Sequence, residues 1–174
     1  MMALKWTLSD LLRNKEEGYV VDETVQLPLD LFHVDPEIRQ LSPIHVHGYV
    51  EFMRHSITFH LTIDGTMVLP CAITLEDVDY PFHIQTSETF LLSPNYRDEE
   101  LDEDDLVHTI EDDEINLTPY IVEAILVEKP MRIVSENAEK RANPSGEGWD
   151  LVSENEQKKM IDPRLEKLKQ FFDE

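Results

Sequence analysis

The sequence predicts an α+β fold, an antiparallel sheet flanked by a few helices, with the strand pattern leaving the sheet free to close into a barrel. Three observations predict it. Residues 43–53 and 56–63 both alternate apolar and polar side chains with period two, the mark of half-buried strands. A turn at Arg54-His55 pairs Phe52 with Ile57 and Val50 with Phe59, so the register sets apolar against apolar. Thr118-Pro119 and Asp162-Pro163 each set a capping residue before a proline at the first turn, the opening of a helix.

In chain order, Leu4–Trp6 reads as a short strand. A short helix follows near Leu8–Asn14, with Thr7 as its cap and Leu8, Leu11 and Leu12 on one face. Tyr19–Leu27 reads as a strand. Pro28 to Pro43 is mostly connection, with Asp35-Pro36 the start of a one-turn helix. The first hairpin then puts Ile44, Val46, Val50 and Phe52 on one face with Ile57, Phe59, Leu61 and Ile63, and His45, His47 and His60 on the other. A second hairpin, closed through Cys71–Thr74, pairs Met67 with Val78, Ile63 with Phe82 and Leu61 with Ile84. The apolar run Met67–Leu69 argues for one bent strand with Gly65 as a bulge, against a turn at Asp64-Gly65. The third strand runs from about Val78 to Leu91.

Beyond it, Asp98–Glu114 holds eleven acidic residues and no Lys or Arg, a run that self-repels and buries little. Mobile segments are expected at about 95–105 and 135–148, with a short strand at Val107–Ile110. A helix from Thr118 to about Glu128 stops before Pro130. The last helix is opened by Asp162-Pro163 and carries Leu165, Leu168 and Phe172 as its stripe.

A chain of 174 residues holds one domain with a real core, here read as 1–174. No apolar run reaches a membrane span, and MMALKWTLSDLL lacks the pattern of a secretory signal. One cysteine makes no internal disulfide, so a cytoplasmic location is expected and no membrane partner. Net charge is −22, from 37 acidic and 15 basic residues; such a surface repels phosphate backbones and attracts basic partners.

The histidines of the first hairpin are residue types that bind zinc or shuttle protons. There is no H-E-x-x-H, and no carboxylate at a ligand spacing along the chain, so a solvent-facing strand surface is the expectation. Cys71 lies among Glu76, Asp77 and Asp79, an unfavourable setting for a nucleophilic thiolate. P-loop, G-x-S-x-G and G-x-G-x-x-G motifs are absent. No enzyme, cofactor or metal is expected. Lys158, Lys159, Arg164, Lys167 and Lys169 are interleaved with acids, which leaves a salt-bridged helix surface or a small RNA-docking patch.

Taken together, several segments resemble the YceD family, the large ribosomal RNA subunit accumulation proteins, and within it the Gram-positive YlbN-like branch. They are Leu41-Ser42-Pro43-Ile44, the Gly65–Pro81 segment with Pro70, Cys71, Thr74, Leu75 and Asp77, the run into Ile115-Asn116-Leu117-Thr118-Pro119, and Asp162-Pro163-Arg164-Leu165 near the end. The resemblance implies a non-catalytic role in ribosome biogenesis that supports accumulation of large-subunit (23S) rRNA. It implies as partner a basic ribosomal protein or another assembly factor, with RNA contacted weakly or indirectly. Many relatives carry Cys-x-x-Cys where this chain has Cys71-x-x-Thr74, so a family-type zinc knuckle is not expected. With that role, the acidic residues Asp102, Glu103, Asp104, Asp105, Glu111, Asp112 and Asp113 become the expected contacts for a basic partner.

Overall fold

Contacts in the computed structural model divide the chain into two units, Met1–Ile133 and Val134–Glu174. The structure describes residues 4–93, 95, 107–140, 145–146 and 149–150. The first unit runs β1 (Lys5–Thr7), α1 (Leu8–Arg13), β2 (Tyr19–Val25), a 3-10 turn (Leu29–Phe32), β3 (Gln40–Leu41), β4 (Ile44–Phe52), β5 (Ser56–Pro70), β6 (Asp77–Leu91), β7 (Val107–Thr109), β8 (Glu114–Asn116) and α2 (Thr118–Glu128). In the second unit, α3 (Glu136–Lys140) falls within the stretch expected to be a loop, and β9 (Ser145–Gly146) pairs with β10 (Trp149–Asp150).

The main sheet has the order β2-β4-β5-β6-β7, with β3 also pairing β5. Strands β2 and β7 end the path, so the sheet is open and the barrel-like closure does not occur. All its pairings are antiparallel except β6 with β7, which is parallel. Strands β3 and β4 follow the same edge of β5, interrupted at Ser42-Pro43. The break keeps its hydrogen bonds: Ser42 N–H donates to Thr66 O and Thr66 N–H to Ser42 Oγ, both at 2.9 Å. Proline has no N–H to give a ladder, so the jog falls there.

The first hairpin has the predicted register, with Phe52 opposite Ile57 and Val50 opposite Phe59. The second is shifted by two residues: Ile63 faces Ile84, Met67 faces Tyr80, and Leu69 faces Val78. The loop spans Cys71–Glu76 and is longer than the expected four-residue closure. An even shift keeps every side chain on its face, so the predicted burial survives for Val50, Phe59, Leu61, Ile63, Phe82 and Ile84, while Phe52 is only partly buried. Gly65 is no bulge. It stays in register opposite Phe82, and a Cβ there would sit 2.6 Å from Phe82 Cζ and 3.0 Å from Ile44 Cγ2. Glycine leaves room for the phenyl ring.

Phe59, Phe32, Ile57, Ile63, Met67, Ile115, Leu117 and Ile121 are among the largest fully buried side chains. Helix α2 buries Ile121, Val122 and Ile125. The β1–β8 ribbon brings Trp6 to 5.6 Å from Phe59, ring centre to ring centre. Thr7 caps α1 as predicted, its hydroxyl accepting from Asp10 N–H. At α2 the cap is Leu117, one residue before the expected Thr118, and Asn116 Oδ1 takes the Thr118 N–H at 3.1 Å. The expected one-turn helix at Asp35-Pro36 is displaced to Leu29–Phe32, opened by Pro28. No helix among the described residues is long and apolar enough to cross a membrane.

Candidate functional site

Three surfaces of the first unit carry chemistry. The first is the acidic turn between β7 and β8. Glu111 and Glu114 bridge across it, with Glu114 N–H donating to Glu111 O at 3.1 Å. Asp112 and Asp113 have φ of 53° and 55°, the left-handed region that aspartate enters more readily than most residues. Two such residues in succession make a tight primed turn. Leu8 N–H donates to Asp113 O at 2.8 Å, which ties the turn to the start of α1. Glu111, Asp112, Asp113 and Glu114 are all exposed.

Beside this turn lies an open recess of about 610 Å³. Phe90, His108 and Tyr120 supply aromatic surface, and Glu111, Asp112 and Glu114 line it as well. The His108 ring is 4.1 Å from that of Tyr120, and its Nε2 is 2.8 Å from Glu88 Oε2. Burial, then the charges of Glu88, Glu111 and Glu123, raise the Tyr120 pKa, which keeps the phenol neutral and able to donate. Aromatic faces inside a ring of carboxylates suit an ammonium or guanidinium group. Asp102, Glu103, Asp104 and Asp105 lie outside the described residues.

The second surface is the motif loop. Pro70 and Asp77 form the last pair of the β5–β6 ladder. Cys71 N–H donates to Glu76 O at 2.8 Å, and Leu75 N–H to Cys71 O at 2.9 Å. Cys71 is fully buried, and its Sγ accepts long contacts of 3.5 Å from the Ile73 and Thr74 N–H groups. Thr74 donates its hydroxyl to Glu76 at 3.0 Å. Arg39 donates to Leu75 O at 3.0 Å and pairs with Asp77. These bonds hold Leu75 in the left-handed region at φ 60°, a strain of about 1–2 kcal/mol for a residue with a Cβ. The result is a fixed loop that presents Ile73 and Leu75 to solvent. A tetrahedral zinc site needs four donors, and a lone thiol that is buried and already accepting hydrogen bonds does not fit one. Asp162, Pro163, Arg164 and Leu165 lie outside the described residues.

Near this loop Lys129 donates to Asp35 at 2.7 Å and to Glu37 at 2.5 Å. The Lys129 bond holds the Asp35 pKa below its ordinary value despite burial. Burial by itself pulls the Lys129 pKa down, but the bonds to Asp35 and Glu37 outweigh it and leave the pKa raised. A depressed carboxyl stabilises the fold above its unfolded pKa of about 3.9, and that contribution disappears as pH falls through the folded value. A raised ammonium contributes below its unfolded pKa of about 10.4 and stops contributing as pH rises through its folded value. Lys129→Met should therefore be less stable than the parent by a constant margin from about pH 5 to 9. The margin should shrink below about pH 4. Urea melts across pH check this; a margin that persists unchanged at pH 2 would remove the pair from the account.

The third surface is the polar face of the main sheet. His45, His47 and His60 point away from the core as predicted, each partly exposed. Carboxylates that no spacing along the chain reveals stand beside them. Register places Asp64 opposite His45, and Asp22 of β2 opposite His47. Asp22 Oδ1 lies 2.8 Å from His45 Nε2, and Glu51 Oε2 lies 2.9 Å from His60 Nε2. His83 Nδ1 is 2.5 Å from Asp64 Oδ1. Reading along one chain hides these neighbours, since they come from four strands. The Asp64 pairing was available from the first hairpin's register, which is continuous from Phe52–Ile57 back to His45–Asp64.

The chain matches the family model described as large ribosomal RNA subunit accumulation protein YceD over residues 59–172. It is 39% identical over 171 residues to the protein named "Uncharacterized protein YlbN" of Bacillus subtilis (strain 168), covering 97% of this chain and 96% of that one. No solved structure matches it.

Proposed function

This chain belongs to the YceD family, and on that premise we propose that it is a non-catalytic ribosome-biogenesis factor that supports accumulation of large-subunit rRNA by holding a Lys/Arg-rich ribosomal protein or another basic assembly factor. The observation that carries the reading is the exposed turn Glu111–Glu114 beside the Phe90, His108 and Tyr120 recess, on a chain of net charge −22. A basic side chain entering the recess gains ring faces and carboxylates together. Direct grip on RNA is poorly supported. Among the described residues Lys5, Arg13, Arg39 and Lys129 are each within ion-pair distance of a carboxylate, which leaves few cations to neutralise phosphate on a chain of net charge −22. Lys158, Lys159, Arg164, Lys167 and Lys169 lie outside the described residues.

Affinity capture of the partner from cells tests this, with and without nuclease and across a salt series. Capture should persist after nuclease and weaken as salt rises, because exposed charges are screened beyond about 8–10 Å near physiological ionic strength. Neutralising Asp102, Glu103, Asp104 and Asp105 to Asn or Gln should weaken binding about ten-fold, at a few tenths of a kcal/mol per exposed pair, and leave the melting temperature unchanged. Glu111→Gln with Asp112→Asn should act in the same direction. Loss of all partners on nuclease treatment would instead make the protein an RNA-associated factor. Undiminished capture by both sets of variants would move the binding surface to the sheet face or the motif loop.

A further inference from the structure

The polar sheet face holds an arrangement that neither the family relationship nor the partner-binding reading uses. His45, His47 and Asp64 each bring one ligand-capable atom to within 4.8 Å of the other two. His47 Nδ1 is shielded from solvent and has no hydrogen-bond partner. It lies 3.7 Å from Asp64 Oδ2. That gap is too long for a hydrogen bond. It is shorter than the separation of about 4.5 Å that a water with two bonds of about 2.8 Å bridges at a tetrahedral angle. Two ligands of one tetrahedral zinc bound at about 2.0–2.2 Å stand about 3.3–3.6 Å apart, so the pair need close by only a few tenths of an ångström to share an ion.

The neighbouring groups are placed as outer supports of a metal site. Asp22 occupies His45 Nε2 at 2.8 Å, which fixes the ring, so an ion held alongside that bond would be taken through Nδ1. His83 occupies Asp64 Oδ1 at 2.5 Å, which leaves Oδ2 facing His47. The His45 and His47 rings stack with centres 4.8 Å and planes 23° apart, so coordination of one ion by both requires one ring to turn about its side-chain bonds. Two imidazoles and one carboxylate on rigid strands are the donors of borderline divalent metals, with zinc the commonest and cobalt(II) its spectroscopic substitute. The acidic surface raises the local cation concentration.

We propose that His45, His47 and Asp64 form a divalent transition-metal site on the outer face of the sheet, with Asp22 and His83 as its positioning residues and one or more coordination positions open. The site is separate from Cys71.

The test uses the untagged full chain after chelator treatment, titrated calorimetrically with zinc alone and spectroscopically with cobalt(II) alone. The expected result is one ion per chain, with visible cobalt absorption of a low-coordinate site. His47→Gln and Asp64→Asn should each weaken zinc binding more than ten-fold, and Asp22→Asn by about ten-fold. Cys71→Ser, and neutralisation of Asp102, Glu103, Asp104 and Asp105, should leave it unchanged. Imidazole nitrogen resonances of His45 and His47 should move on zinc addition while that of His33 does not, a reading that needs no variant. Absence of saturable zinc binding below millimolar concentration would overturn the proposal. So would retained affinity in both ligand variants, or loss of binding in Cys71→Ser.

Discussion

Gly48→Ala is expected to destabilise the first unit by about 3 kcal/mol or more, at or above the upper end of ordinary overpacking, or to leave it unfolded. A Cβ at Gly48 would stand 1.9 Å from the backbone oxygen of His60 and 2.9 Å from its carbonyl carbon. Side chains relieve such a clash by changing rotamer, but a ladder carbonyl has no rotamer to change. Strand β4 cannot step aside either, since Gly48 is paired with Leu61 on one edge and Val21 on the other. Gly18→Ala provides the contrast. Gly18 has φ 77°, and a Cβ there would meet nothing within 4 Å, so only the left-handed strain of about 1–2 kcal/mol applies. Urea melts of the two variants should rank Gly48→Ala well above Gly18→Ala. Equal losses, or a Gly48→Ala loss below about 1 kcal/mol, would show that β4 and β5 separate easily.

The parts of the fold that were legible in the sequence are those set by local periodicity. The first hairpin was read correctly because both strands alternate strictly and the shortest turn, Arg54-His55, is the one the chain uses. In the second hairpin, registers two residues apart give the same faces, so alternation could not choose between them. The loop made the choice, through the Cys71 N–H to Glu76 O bond and a left-handed Leu75, and neither is encoded by a glycine or an Asn-Gly pair. Non-local pairings left no trace in the sequence. Strand β1 meets β8 more than a hundred residues away, and β7 joins β6 in parallel, although β1, β7 and β8 are each only three residues long. The sites divide in the same way. The acidic turn was visible as composition, whereas the recess beside it depends on Phe90, His108 and Tyr120 coming from three separate elements. His45 and His47 were visible as a pair on one strand face. Asp22 and His83 reached them only through the order of four strands.

Phe59→Ala is expected to cost about 3–5 kcal/mol, the range for a fully buried phenylalanine truncated to alanine. Phe59 is 0% exposed and sits near the start of β5, between its partners Val50 of β4 and Glu88 of β6. Its ring joins three parts of the core. Trp6 of β1 lies 5.6 Å away, tilted, and Phe90 of β6 lies 5.8 Å away, edge to face. Phe90 in turn meets Tyr120 of α2 at 5.4 Å, again edge to face. Removing the Phe59 ring therefore loosens the β1–β8 ribbon and α2 against the sheet together, and the strands on both sides prevent full collapse into the cavity. Phe59→Leu refills most of the volume and should recover more than half of the loss. Phe52→Ala, at a partly buried ring near the end of the same hairpin, should cost less than Phe59→Ala. Denaturant melts measure all three. The chain has a further consequence for the recess, because Phe90 forms part of its lining and rests on Phe59. Phe59→Leu, folded but with a looser Phe90, should bind the basic partner more weakly at low salt, whereas Phe52→Ala should not. Unchanged binding in Phe59→Leu would mean that the carboxylates of the turn act alone and the aromatic wall contributes nothing.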